Sequence, residues 1–138
     1  ATVEARLQAT IEAISAPTPS PTASSKVDEY VLEGTRLSNL ALNDLAVVQF
    51  TKAIQVSPNN AVLYWLRGLS YNSLGKYQQA LHDQNQAIHL DNTFAPAYVG
   101  RGSAYNGLEL FPQADADLDT ACRLDSQFCL EQPKGPPG

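Results

Sequence analysis

The chain has 138 residues, with 14 acidic side chains against 9 basic ones, and a formal net charge of −5. That length allows one compact domain with short appendages. The acidic balance argues against a binder of phosphate backbones, which needs clustered cations, and no run of about 18 or more apolar residues offers a membrane-spanning segment.

Residues 1–15, ATVEARLQATIEAIS, place Val3, Leu7, Ile11 and Ile14 at intervals of four, four and three, one stripe of a helix. The residues around them are good helix formers. A helix of about fifteen residues is marginal in water by itself, so this arm needs something to pack against. The opening, with Glu4 and Arg6 close to Ala1, does not read as a secretory signal. A mature secreted chain would lack one too.

Residues 16–26, APTPSPTASSK, alternate Pro17, Pro19 and Pro21 with hydroxyl residues, which predicts an extended, polyproline-like linker. The same composition suits a stalk carrying O-linked sugars, with Thr18, Ser20 and Thr22 as acceptors. An unmodified interdomain linker is the plainer reading. Such spacers point toward secreted and surface proteins.

Residues 27–128 repeat at an interval of 34, in units 27–60, 61–94 and 95–128. Tyr30, Tyr64 and Tyr98 fall in register, as do Gly34, Gly68 and Gly102, and Leu40, Leu74 and Leu108. Two further sets are Ala46, Ala80 and Ala114, then Ala53, Ala87 and Ala121. A fixed period of this length marks a helical solenoid. Each unit shows two apolar-periodic segments around a short break, so it reads as a helix hairpin. Gly68 and Ala80 are expected where the two helices cross, with Tyr64, Tyr71 and Tyr77 filling the space beside them. One hairpin cannot bury its apolar face alone, and stacking three makes a continuous core.

At the far end, Val47 and Leu81 give way to Asp115, an acidic substitution suited to a solenoid terminus. Leu118 and Cys122 remain near that edge, however. Residues 129–138, CLEQPKGPPG, form a Pro/Gly-rich tail that stops further helix. Cys122 and Cys129 form either a disulfide or a pair of small apolar fillers, depending on the compartment.

The spacing within each unit resembles the tetratricopeptide repeat (TPR) family. The second unit carries it on Tyr64, Gly68, Tyr71, Gly75, Tyr77, Ala80 and Ala87, with Asn92 where the family has proline. The third carries it on Tyr98, Gly102, Tyr105, Phe111, Ala114 and Ala121. The first diverges further, with Tyr30, Gly34, Leu37, Ala46, Phe50, Ala53 and Pro58. The resemblance implies an all-α fold, a right-handed α-α superhelix of three helix hairpins, whose first helices line a concave groove. It also implies that the tail is too short for the family's usual capping helix.

Carried over residue by residue, the groove positions are Asp28, Val31, Thr35, Ser38 and Asn39 in the first unit. The second gives Val62, Trp65, Leu69, Asn72 and Ser73, and the third Pro96, Val99, Ser103, Asn106 and Gly107. Trp65 stands out, since Tyr64 already takes the packing position and the indole is expected to face the groove as an anchor. Packing on its neighbours is the plainer alternative. Asn72 and Asn106 are expected to hydrogen-bond a bound backbone. Chaperone-binding members of the family clamp a C-terminal carboxylate with Lys and Arg. None of these positions is Lys or Arg, so the groove is expected to favour an uncharged or apolar ligand.

No catalytic constellation, metal site or cofactor motif is found. His82 and His89 lack a third ligand, and Asp115, Asp117 and Asp119 read as a solvated acidic face. The chain is therefore expected to be a non-enzymatic protein–protein interaction module of a secreted or surface protein, bacterial or otherwise, with a cytoplasmic setting as the alternative. Its partner is a peptide or helix, including one from another copy of itself. In the second case the arm docks on a neighbour's TPR domain, giving a homo-oligomer or an extracellular head-to-tail filament.

Overall fold

In a computed structural model, residues 2–15 and 19–130 are described, the side chains of residues 13–15 excepted. Seven α-helices are found among them, and no strand. They are α1 (Val3–Ser15), α2 (Ala23–Asn39), α3 (Asn43–Val56), α4 (Ala61–Ser73), α5 (Tyr77–Leu90), α6 (Ala95–Gly107) and α7 (Phe111–Leu124), with a 3₁₀ turn at Ser126–Phe128. The helices pair as hairpins, α2 with α3, α4 with α5 and α6 with α7. Successive hairpins stack through α3 on α4 and α5 on α6, and α4 also touches α6. No described helix is long and apolar enough to cross a membrane.

The period survives as geometry. Ala46, Ala80 and Ala114, with Ala53, Ala87 and Ala121, are all fully buried. Each turn between the helices of a hairpin needs one left-handed residue, and it falls at the same register position each time, at Ala41, Gly75 and Glu109. Only glycine adopts that conformation without steric cost. Tyr64 Oη donates to the Pro58 carbonyl and Tyr98 Oη to the Asn92 carbonyl, both at 2.9 Å. Asn92 thus serves where the family has proline, because the carbonyl is what is used.

Two local expectations are refined. Helix α2 starts at Ala23, inside the stretch expected to be linker, because no proline follows Pro21 and the Thr22 hydroxyl accepts from Ser25 N at 3.2 Å as an N-cap. Gly68 does not make room for Ala80: a Cβ there would meet the Gln84 amide, as it would at Gly100. In the first hairpin the matching space beside Gly34 is taken by the Phe50 ring.

The arm residues Val3 and Leu7 lie exposed on α1. Ile11 is also largely exposed, and the Ile14 side chain lies outside the described residues, as does Thr18. Among the described residues, α1 has no extensive contact with any one helix of the hairpins. At the other end, Cys122 and Cys129 are joined by a disulfide with Cα atoms 4.4 Å apart. It ties the 3₁₀ turn back to α7. The tail beyond residue 130 lies outside the described residues.

Candidate functional site

The inner helices of the first two hairpins enclose a cleft of about 430 Å³ on the expected groove face. Thr35, Ser38 and Asn39 from α2 face Leu66, Leu69, Ser70 and Ser73 from α4, with Phe50 and Asn43 at its floor and rim. The Ser38 and Ser70 hydroxyls are 3.3 Å apart across it. The cleft therefore brings together five of the expected groove residues, Thr35, Ser38, Asn39, Leu69 and Ser73.

The others are placed differently. Val31 packs partly against the cluster of Ala53, Ile54 and Leu63, so part of its side chain belongs to the core. Trp65 is half-buried, its ring edge-on to Phe94 with centroids 5.5 Å apart. It is not among the cleft residues. Asn72 Nδ2 donates to the Gly100 carbonyl at 2.9 Å, so this amide bridges α4 to α6 and is not free for a ligand backbone. Its Oδ1 is buried without a partner. Val62, half-buried Val99 and exposed Asn106 remain on the surface of their helices.

Where the cations went is the most informative feature. Arg67 on α4 makes a bidentate pair with Asp83 on α5, Nε to Oδ2 and Nη2 to Oδ1, each 2.7 Å. Its third nitrogen, Nη1, reaches back to Thr51 on α3 at 3.2 Å. Arg101 repeats this one unit later, bidentate to Asp117 at 2.9 and 2.7 Å with Nη1 on Asn85 at 2.9 Å. Each guanidinium also lies about midway between two tyrosines of its own helix, Tyr64 and Tyr71 or Tyr98 and Tyr105, near 6 Å from their ring centres. Asp117 is consequently buried and paired, not part of a solvated acidic face. The hydrogen bonds that Arg67 and Arg101 donate to Asp83 and Asp117 hold both guanidinium pKa values above their ordinary level, with burial pulling the other way.

Interval reasoning had the information to find these staples. Arg67 and Arg101, Asp83 and Asp117, and Thr51 and Asn85 all share the 34-residue spacing. In the first unit the scheme is absent, since Glu33 and Gln49 occupy those positions. Glu33 pairs instead with Arg36 at 2.6 Å. That hydrogen bond, against a small opposing effect of burial, lowers the Glu33 pKa.

The groove face therefore offers hydroxyls, amides and short apolar side chains, with the arginines of α4 and α6 committed to the hairpin joints. Neutral polar groups of a ligand can be matched there. A ligand carboxylate would find no fixed positive charge, and desolvating an unpaired carboxylate is costly.

Residues 61–94 match the family described as Tetratricopeptide repeat. Among curated proteins, the chain is 50% identical over 38 residues to Hsp70-Hsp90 organizing protein 3 of Arabidopsis thaliana. It is 44% identical over 59 residues to Heat shock protein STI1 of Saccharomyces cerevisiae. These alignments cover 28% and 42% of this chain but only 7% and 10% of the relatives. Among solved structures, the TPR domain of Arabidopsis OM64 superposes with a TM-score of 0.74 at 27% identity, over 77% of this chain and 88% of that one. The second TPR domain of human RPAP3, in complex with the HSP70 peptide SGPTIEEVD, does so with a TM-score of 0.71 at 26% identity, over 76% and 88%. Residues 61–94 are thus a tetratricopeptide repeat, and the three stacked hairpins in shared register have the fold of the TPR domains on which they superpose.

Proposed function

We propose that the chain is a non-enzymatic protein-interaction module whose concave face binds an uncharged or apolar peptide or helix. Peptide binding by similar TPR domains supports the general role. The particular chemistry rests on one observation: the cleft between α2 and α4 carries no Lys or Arg, and the arginines of α4 and α6 are bonded to Asp83 and Asp117. Leu69 supplies an apolar wall, with Thr35, Asn39 and Ser73 around it as hydrogen-bonding groups. Trp65 and Phe94 form an aromatic ledge on the next stretch of the same solenoid.

The test is fluorescence anisotropy with a labelled peptide of uncharged, mostly apolar residues, blocked at both termini. Leu69→Arg is expected to weaken its binding about tenfold or more, since the introduced charge fills the cleft, while leaving helicity unchanged. Equal affinity of the variant and the original chain would place binding elsewhere.

A second reading is favoured by the exposed stripe of α1. Here the chain is a structural subunit, the arm of one copy docking on the TPR domain of the next in a head-to-tail series. Sedimentation of a chain lacking residues 1–15 tests it: loss of association supports the reading, and unchanged oligomeric size sinks it. The disulfide supports placing the module in an oxidising setting, outside the cell or at its surface. The glycan proposal is narrowed at Thr22, whose hydroxyl caps α2.

A further inference from the structure

Among the described residues, no helix packs on the outer face of α7 as α4 packs on α3 and α6 on α5. Two kinds of contact receive the next unit's first helix. At the first internal joint an apolar residue packs in, Leu66 against Leu37, Ala46 and Phe50, whereas Gly100 holds that position at the second and lies against Gln84. A guanidinium one position later reaches back to a neutral acceptor, Arg67 to Thr51 and Arg101 to Asn85. On α7 the matching position is Asp119, an exposed carboxylate without a partner among the described residues. A recess of about 330 Å³ adjoins it, walled by Leu118, Cys122, Phe128 and Leu130. The disulfide-tied turn builds one side of this recess and leaves it open, with Leu130 still 73% exposed.

This edge has the features of a seat for one more amphipathic helix, apolar on its inner stripe and cationic where Arg67 and Arg101 are. The front of a second solenoid does not fit. At the register positions of Leu63 and Arg67, the first hairpin presents Glu29 and Glu33, so end-to-end stacking would set Glu33 against Asp119. Helix α1 does fit. It exposes Val3 (72%) and Leu7, with Arg6 one turn from Val3 and next to Leu7.

We propose that α1 of a second copy docks across the C-terminal edge, Val3 and Leu7 against Leu118 and Phe128, with Arg6 facing Asp119. It takes the place of the first helix of a fourth repeat. The proposal rests on the self-assembly reading above and gives it a docking site and a charge pairing.

Charge reversal tests it by sedimentation velocity of the full chain at low salt, with circular dichroism to confirm the fold. Arg6→Glu and Asp119→Arg are each expected to weaken association about tenfold or more, and the double variant to recover most of that loss. If both single variants associate like the original chain while removal of residues 1–15 abolishes association, the arm drives assembly through another surface and this site is wrong. A larger loss from Leu69→Arg than from Asp119→Arg overturns it in favour of the groove. A chain that is monomeric at every concentration overturns the site and the self-assembly reading together, whether or not the arm folds on its own solenoid.

Discussion

At the residue scale, the burial of Arg67 with Asp83 decides more than any exposed side chain. The Asp83 side chain is 1% exposed and that of Arg67 16%, so neither is well solvated if its partner is lost. Breaking such a pair from one side leaves an uncompensated charge, which typically costs about 3 kcal/mol or more. Asp83→Ala is therefore expected to destabilise the domain by about 3 kcal/mol in urea unfolding. A loss below about 1 kcal/mol would show that Arg67 escapes to solvent. Gln84 behaves in the opposite sense. It is fully buried, donates only a 3.3 Å bond to the Trp65 carbonyl, and leaves Oε1 unpartnered. Its register equivalents are Phe50 and Leu118. Gln84→Leu is expected to raise stability by about 1 kcal/mol, because an orphaned buried acceptor costs more than a weak bond returns.

At the element scale, the helices follow from their residues except at the edges. Period, hairpin count and buried alanines were legible, since a 34-residue interval constrains every unit alike. The start of α2 was not, because Ser24, Ser25 and Lys26 suit either a linker or a capped first turn. Only the Thr22 bond to Ser25 decides between them. Glu109 (φ 61°) and Ala41 (φ 60°) hold left-handed positions that Gly75 fills at φ 69°. Glu109→Gly is expected to stabilise the α6–α7 turn by about 0.5–1 kcal/mol, as relief of strain outweighs the added freedom of the unfolded chain. Thermal unfolding at a matched concentration checks this, and a lower Tm would count against the strain argument.

At the scale of the whole molecule, the groove's chemistry was only partly legible. The absence of Lys and Arg from the groove positions could be read from the register, but the capture of Asn72 by Gly100 and of Trp65 by Phe94 could not. Asn72 and Gly100 lie in different repeats, and Phe94 closes the unit that Trp65 opens, so neither contact follows from the pattern of a single helix. The same joints engage the arginines of α4 and α6, so the lack of cations in the α2–α4 cleft goes with how the hairpins are fastened. Isothermal titration of the full chain with SGPTIEEVD, the HSP70 peptide bound by the similar human RPAP3 domain, tests this most directly. No saturable heat is expected up to about 1 mM peptide, an affinity weaker than about −4 kcal/mol. A dissociation constant in the micromolar range, lost on removing the peptide's terminal carboxylate, would contradict it.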